Sequence, residues 1–240
     1  MILLRSAVFN AFFFILTFVL AVLASIVRFV SPHHVLWFGQ VWARCLVAGA
    51  RILCGINLRV EGLEQIPEGG VLIASRHQSA FDTFVWLMLM PRCCYVLKHE
   101  LLRIPLFGGL IIAAGMIPVD RSAGSGAIRA LLRAGEIAAR DQRQIVIFPE
   151  GTRSDYGRPR PLQPGIAALA SKTGLPVVPV ATDSGLCWGR RAFRKRPGTI
   201  RIVIGAPVPA QTERGALMRL LEREMGALDE QPVPSGRPMG

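Results

Sequence analysis

Asp82 lies five residues after His77 in the stretch SRHQSAFDTF, residues 75–84, which directly follows the apolar run GGVLIA. A neutral imidazole can remove a proton from a hydroxyl group, and a nearby carboxylate can hold the other ring nitrogen as a donor and stabilise the imidazolium. Because no serine or cysteine is tied to this pair by its spacing, the pattern predicts that the substrate's own hydroxyl is the nucleophile. The alternative is a helix N-terminus that Ser79 or Asp82 caps, with His77 incidental to it.

A second group of polar side chains lies in IFPEGTRSDYG, residues 147–157, again after an apolar run. Gly151 lets a backbone approach a ligand closely, Thr152 offers a hydroxyl, and Arg153 offers a forked cation suited to phosphate. Glu150 could orient an arginine or accept a hydrogen bond from a substrate hydroxyl. The alternative is a surface turn in which Glu150 pairs with Arg153.

Arg121 ends a third stretch of this kind, GMIPVDR, residues 115–121. Taken alone, an arginine beside Asp120 is typical of a local surface arrangement. Three apolar runs that carry, in order, a histidine–aspartate couple, a cation and a phosphate-type turn form a more specific constellation. Ligand crevices of α/β sheets lie outside the carboxyl ends of their strands, so this order predicts one binding site.

With these residues the chain resembles the glycerolipid acyltransferases that carry the H-x4-D motif. The stretches HQSAFD, GMIPVDR, FPEGTRS and LPVVPV are similar to the four motif blocks of that family, from about residue 58 to residue 207. The resemblance is strongest to the lysophosphatidic acid acyltransferases of bacteria. It implies transfer of a fatty acyl group from acyl-CoA or acyl-acyl carrier protein to the sn-2 hydroxyl of 1-acyl-sn-glycerol-3-phosphate, which makes phosphatidic acid for phospholipid synthesis.

The resemblance also implies a role for each matching residue. His77 is the expected general base, and Asp82 is expected to orient it and stabilise its charge. Pro179, in the fourth block, is expected to shape the acyl-donor side. No metal or cofactor is expected, because the acyl donor is itself a co-substrate. The residues expected to bind the acceptor and its phosphate are Lys98, Arg121, Glu150, Gly151, Thr152 and Arg153.

Short apolar runs alternate with helical patterns beyond Gly55, which predicts an α/β domain with a mostly parallel central sheet flanked by helices. The helix over 124–141 has the clearest apolar stripe. Strands are predicted at 57–62, 70–75, 94–98, 115–120, 144–149, 176–182 and 199–205. Helices are predicted at about 80–90, 100–113, 124–141, 164–173 and 211–227.

The first 54 residues predict a membrane-anchoring helical hairpin that precedes this domain. Residues 6–27 carry no charge, and a helix of that length would measure about 33 Å, enough to cross a hydrocarbon core of roughly 30 Å. A cleaved signal peptide is the alternative, but no clear cleavage site is present. The hairpin could span the bilayer or dip into one leaflet.

The second helix of this hairpin carries Gln40, Arg44 and Arg51 on one side, together with two tryptophans, which are common at bilayer interfaces. This pattern indicates an amphipathic helix on the membrane surface or, equally, an ordinary helix packed on the domain core. The acyltransferase domain is assigned to residues 55–228, and residues 229–240 are assigned to a flexible tail.

The chain of 240 residues is strongly basic, with a net charge of +12, and its mean hydropathy is +0.41. Such a balance favours anionic partners: anionic membrane lipids, the lysophospholipid acceptor, and acyl-CoA or acyl carrier protein. The densest basic run, WGRRAFRKRPG at 188–198, is interpreted as a docking surface for the membrane or the carrier, or as a solvated loop. No nucleic-acid fold signature accompanies it, so no nucleic-acid partner is expected.

Five scattered cysteines without a C-x-x-C pair indicate reduced thiols in a domain that faces the cytosol. Together with the apolar N-terminal segment, the resemblance to bacterial enzymes implies a location at the inner, cytoplasmic membrane of a bacterium, with the active site facing the cytoplasm. Two alternatives stay open for the function. One is acyl transfer to lyso-ornithine lipid or another lysolipid, and the other is a non-catalytic, basic membrane-binding protein.

Overall fold

The computed structural model describes residues 1–210 and 212–229. Its strands are β1 (Ile56–Glu61), β2 (Val71–Ser75), β3 (Cys93–Lys98), β4 (Ile117–Val119), β5 (Gln144–Ile147), β6 (Val177–Thr182) and β7 (Gly198–Ile204). Its α-helices are α1 (Ile2–Val30), α2 (Val35–Cys54), α3 (Asp82–Leu89), α4 (Phe107–Ala113), α5 (Ser125–Arg140), α6 (Gly165–Thr173), α7 (Ser184–Cys187) and α8 (Arg214–Asp229). The predicted tail lies outside the described residues, except that Asp229 ends α8.

The seven strands form one sheet in the order β1-β7-β6-β2-β5-β3-β4. All neighbouring strands are parallel except β6 and β7, which are antiparallel. Every residue of β2 and β6 is buried, because a parallel sheet is covered by helices on both faces. The predicted α/β fold with a mostly parallel sheet is thus confirmed, and each predicted strand is present within two residues of its predicted start.

The strand order places the motif loops side by side. β2 pairs with β5 in parallel register, with Ala74 opposite Ile147, so the loops that follow the two strands leave the sheet together. β3 lies on the other side of β5 and brings Lys98 to the same edge. The carboxyl edge of the sheet therefore positions the candidate site.

The helix predicted over 100–113 is interrupted in the structure. A short 3-10 helix occupies His99–Arg103, and α4 begins only at Phe107. Pro105 separates the two, and proline restricts the residue before it to an extended conformation, which Ile104 adopts with ψ of 123°. The break turns α4 toward α1, which it contacts.

The second N-terminal helix packs on the domain core, which is one of the two arrangements that its sequence allows. α2 buries Ala43, Leu46 and Ala50 against α3 and β1. Trp42 is partly buried, packs against Phe84 with ring centroids 5.6 Å apart, and donates its indole N–H to Thr17 of α1. α2 is therefore a structural layer between α1 and the sheet.

α1 has one apolar face that nothing in the described part of the chain covers. Within that part, α1 is the one helix long and apolar enough to cross a membrane, with a hydropathy of 2.6 and 11% of the tested window buried. Its small residues Ala21 and Ala24 are buried, whereas large side chains on the other side are exposed. These exposed side chains include Leu4, Phe14, Ile15, Phe18, Ile26 and Phe29. An apolar surface of this length indicates contact with lipid.

Candidate active site

His77 and Asp82 meet at the start of α3. The Nδ1 atom of His77 lies 3.3 Å from Oδ2 of Asp82, whose side chain is almost fully buried. The same oxygen accepts the backbone N–H groups of Gln78 and Ser79 at 2.7 and 2.8 Å. Asp82 therefore fixes the loop before α3 and faces the histidine at once. It does not cap the helix, because Phe81 is the N-cap residue of α3 and no side chain makes a capping hydrogen bond, so the capping alternative is wrong.

Phe148 holds the histidine ring from the other side. The two rings are stacked with their centroids 4.1 Å apart and an interplanar angle of 17°. The backbone carbonyl of His77 also accepts the N–H of Ser154 at 2.8 Å, which ties the loop after β2 to the loop after β5. With Nδ1 directed at Asp82, Nε2 is the ring nitrogen left for a substrate hydroxyl.

A cavity of about 620 Å³ opens beside His77. Its walls are mainly apolar and come from the helices α1, α2, α3 and α4, from β3, and from Met116 and Phe148. Polar lining is concentrated in Gly151–Arg153 and in Arg190 and Arg191, with Lys98 also on the wall. The cavity therefore joins a long apolar compartment to a cationic opening, and the histidine is on its surface.

Arg153 is the half-buried cation of this opening. Burial lowers its pKa, the carboxylate of Asp82 acts to raise the pKa, and the neighbouring Arg190 and Arg191 act to lower it. Gly151, two residues earlier, has a φ of +74°, in the left-handed region that glycine adopts without a Cβ penalty. This turn brings Thr152 and Arg153 to the cavity wall.

Comparison with known proteins identifies the family. The sequence profile of the family described as Acyltransferase matches residues 57–183. The chain is 38% identical over 174 residues to the 1-acyl-sn-glycerol-3-phosphate acyltransferase of Pseudomonas aeruginosa, an alignment that covers 72% of this chain and 68% of that protein. This chain belongs to the acyltransferase family. The resemblance carried by its motif stretches, and the prediction that it is an enzyme of this kind, are confirmed.

More distant relatives of this acyltransferase agree. A 1-acyl-sn-glycerol-3-phosphate acyltransferase of Cocos nucifera is 32% identical over 71% of this chain and 54% of its own length. The crystal structure of the 1-acyl-sn-glycerophosphate (LPA) acyltransferase PlsC from Thermotoga maritima matches with a TM-score of 0.76, over 97% of this chain and all of that one. At 22% identity, the match to the PlsC structure shows the shared fold alone.

Most of the predicted site residues of this acyltransferase are brought together by the fold. His77, Gly151, Thr152, Arg153 and Lys98 all line the cavity, and Asp82 lies behind His77. Arg121 begins the turn Arg121–Ala123 after β4, but its side chain lies outside what the structure describes. Its predicted contact with phosphate therefore stays a prediction.

Two predicted site residues lie elsewhere. Glu150 has a fully buried side chain that pairs with Arg76 and accepts the backbone N–H of Arg160, and it is not on the cavity wall. The predicted contact of Glu150 with the acceptor, and its alternative pair with Arg153, are both replaced by this internal role. Pro179 is buried in β6 beside Ala74, away from the cavity, so it cannot shape the donor side by contact.

Three arginines with a place in or next to the site were missed from the sequence. Arg76 precedes His77, yet its partners are distant along the chain, and the sequence carries no local sign of them. In the sequence, Arg190 and Arg191 belong to the basic run 188–198, which is interpreted there as one surface. The structure divides that run, because Lys195 is only 3% exposed and Arg190 and Arg191 line the cavity.

Proposed function

We propose that this acyltransferase transfers a fatty acyl group from a thioester donor to the sn-2 hydroxyl of 1-acyl-sn-glycerol-3-phosphate. The observation that carries the proposal is the position of His77, on the wall of a cavity that is apolar along its helices and cationic at Arg153. A lysophosphatidic acid has the matching form, since an alkyl chain and a phosphate flank its free hydroxyl. The names of the relatives support the same acceptor.

His77 acts as the general base and then as the general acid. Its Nε2 takes the proton of the sn-2 hydroxyl as the oxygen attacks the thioester carbonyl, and a C–O bond forms. When the C–S bond breaks, the same proton passes to the leaving thiolate, so the products are the diacyl lipid and a free thiol. Asp82 accepts from Nδ1–H and stabilises the imidazolium in between.

Arg153 binds the phosphate of the acceptor, assisted by Lys98 and, as the sequence predicts, by Arg121. A guanidinium can form two parallel hydrogen bonds with a phosphate, which fixes the position of the headgroup as well as neutralising it. The hydroxyl lies only a few bonds from this phosphate. Holding the phosphate near Arg153 therefore holds the hydroxyl near His77.

In this proposal, the apolar part of the cavity binds hydrocarbon chains, and α1 brings the opening of the cavity to a membrane. Both ends of α1 touch the globular part: Ser6 accepts the backbone N–H of Lys195 at 2.9 Å, and the guanidinium of Arg28 lies against Gly109 of α4. A helix held at both ends lies along the domain, which favours the dipping arrangement over a span. We place the protein at the cytoplasmic face of the bacterial inner membrane, where its basic surface meets anionic lipids.

An acceptor panel tests the proposed function. Purified full-length protein in detergent is given lysophosphatidic acid, its phosphate-free analogue monoacylglycerol, or lyso-ornithine lipid, each with acyl-CoA and with acyl-acyl carrier protein. We expect the highest kcat/KM with lysophosphatidic acid. A higher kcat/KM with lyso-ornithine lipid would show that this lipid, and not lysophosphatidic acid, is the acceptor. Vesicle binding without transfer from either donor would contradict the enzymatic function itself.

A further inference from the structure

Arg190 and Arg191 lie directly after α7 and share a cavity with His77 and Arg153. The rest of their surface is exposed, so they form the open edge of that cavity. Three guanidinium groups thus line one cavity. The pKa of Arg153 is lowered mainly by burial, and the charges of Arg190 and Arg191 act in the same direction. Like charges gathered at one opening indicate an anionic ligand.

No carboxylate neutralises this edge within residues 1–210 and 212–229. The ion pairs described there involve Arg59, Arg76, His77, Lys172, Arg201 and Arg223, and none includes Arg153, Arg190 or Arg191. Asp82 is the acidic group whose charge reaches Arg153, and it already faces His77 and two backbone N–H groups. An anionic ligand bound there would therefore meet no competing carboxylate.

The segment that carries the two arginines, residues 187–196, is held by backbone hydrogen bonds and by contacts of its aromatic and lysine side chains. Its base is closed where Arg196 N–H donates to the carbonyl of Cys187 at 2.8 Å, and the N–H of Ala192 donates to Gly189 at 3.1 Å. Trp188 is buried against Phe9, and the Nζ atom of Lys195 lies 4.7 Å above the Trp188 ring. Arg191 itself has a φ of +55°, a region that residues other than glycine rarely adopt. These contacts fix the backbone of the turn from which the two arginines project.

The proposed reaction requires a second phosphate site. In lysophosphatidic acid, the phosphate is a few bonds from the reacting hydroxyl, so it must bind close to His77, where Arg153 lies. In the acyl donor, the nearest phosphate is at the far end of the pantetheine arm, well away from the thioester. Acyl-CoA and acyl-acyl carrier protein share this phosphopantetheine group. Arg190 and Arg191 are exposed at the cavity whereas Arg153 is half-buried, so they are suited to a phosphate that stays near the solvent.

We propose that Arg190 and Arg191 form a second anion site, which binds the phosphate of the phosphopantetheine arm of the acyl donor. The proposal rests on the proposed function, because it takes the donor from that reaction. It divides the basic run into residues that contact substrate and residues, such as Arg194 and Arg196, that lie exposed outside the cavity.

Ligand binding tests this site without any turnover. Calorimetry on the full chain in detergent compares 4′-phosphopantetheine with pantetheine, which differ only in the phosphate. We expect wild type to bind the phosphorylated form about 10- to 100-fold more tightly, and the double variant R190A/R191A to bind the two equally. The variant R194A/R196A removes the same charge from the same segment and should keep the wild-type preference. Equal binding of the two compounds by wild type would overturn the proposal.

Kinetics identify which phosphate is bound. With R190A/R191A we expect the donor KM to rise about 10- to 100-fold for acyl-CoA and for acyl-acyl carrier protein alike, with the acceptor KM unchanged. A rise for acyl-CoA alone would move the site to the nucleotide phosphates, and a rise in acceptor KM alone or a loss of vesicle binding alone would also overturn the assignment. If wild type acylated no lysolipid yet still preferred 4′-phosphopantetheine, the proposed function would fail and the site would stand.

Discussion

At the scale of single residues, the proposed chemistry depends on the groups that hold the His77 ring. Asp82 occupies Nδ1 and Phe148 covers one face, so the ring has little freedom and Nε2 is presented in one direction. A base held in this way needs no reorganisation when the hydroxyl arrives. The consequence is that changes at His77 should affect the chemical step far more than substrate binding.

Replacing His77 by alanine should lower kcat by about 10²- to 10⁴-fold, because the general base is lost while the fold and the membrane association remain. Steady-state acyl transfer from a thioester donor measures the effect. His33→Ala is the matched control, since His33 is exposed in the turn between α1 and α2 and lies outside the cavity. Turnover close to wild type in His77→Ala would contradict the assignment of the base.

Replacing Arg153 by alanine should raise the KM for lysophosphatidic acid about 10- to 100-fold, because a charge-assisted contact with the phosphate is lost. The KM for monoacylglycerol, which lacks the phosphate, should change little. Arg158→Ala serves as the control, since Arg158 is exposed in the same loop and away from the cavity. If the two acceptors were affected equally, Arg153 would not be the phosphate ligand.

At the scale of elements, Arg76 joins three segments behind the site. Its Nη1 lies 3.3 Å from Oε1 of Glu150 in the loop after β5, and its Nε lies 3.0 Å from Oδ2 of Asp229 at the end of α8. The arginine side chain is 6% exposed and that of Glu150 is fully buried. Arg76 therefore sets the distance between the loop that carries His77 and the loop that carries Arg153.

Arg76→Met should lower the free energy of unfolding by about 3–5 kcal/mol, because it leaves the buried Glu150 carboxylate without its cation. The double variant R76M/E150M should recover part of this loss, since the fully buried carboxylate is then removed together with its cation, while the partly exposed Asp229 loses Arg76 in both variants. Urea unfolding in detergent measures both. Arg59→Met provides the comparison, since its pair with Glu61 is partly exposed and should be worth about 0–1 kcal/mol. Equal losses for Arg76→Met and Arg59→Met would show that the buried pair has no special role.

Lys195 makes a second connection between elements, because it joins the basic run 188–198 to α1. Its Nζ donates to the side chain of Asn10 and to the carbonyl of Phe193, and burial lowers its pKa. Lys195→Met keeps the stem packed but removes these bonds, so thermal unfolding should show a loss of about 1–3 kcal/mol. Lys172→Met removes an exposed pair with Glu136, and it should lower the free energy of unfolding by less than about 1 kcal/mol, as is typical of surface ion pairs. No difference between the two would contradict the connection.

At the scale of the whole molecule, the N-terminal hairpin forms one wall of the cavity and, in the proposed function, also anchors the protein. α1 and α2 contribute Thr17, Leu20, Ala21, Phe38 and Trp42 to the lining of the cavity. Phe9 of α1 is fully buried in the same core as the sheet. The exposed apolar face of α1 and the cavity therefore lie on different sides of the same helix, and α2 contributes to the cavity.

Removing residues 1–54 should abolish acyl transfer even on substrate dispersed in detergent, because the apolar compartment loses one wall. The double variant I15Q/F18Q, on the exposed side of α1, should retain transfer in detergent and lose membrane association in a flotation assay. Comparing the truncated protein with the double variant distinguishes the loss of the cavity wall from the loss of membrane association. Substantial detergent activity in the truncated protein would show that the hairpin is an anchor alone.

The sequence by itself determined the strands, most of the helices, the α/β class and the motif loops of this protein. These depend on patterns that are local along the chain: the alternation of apolar runs with helical stripes, a proline or glycine at an end, and polar residues after a strand. The pair of His77 and Asp82 belongs to this category, because five residues around one strand-to-helix turn bring the two side chains together.

Only the tertiary structure decided which way the other side chains face. Glu150 directly precedes the cavity-lining residues Gly151–Arg153, but its partner Arg76 is 74 residues away, and Arg76 also meets Asp229, 153 residues away. The basic run looks uniform along the chain, yet packing against α1 buries Lys195 and leaves Arg190 and Arg191 on the cavity. Such directions follow from contacts between distant segments, which a local pattern does not contain.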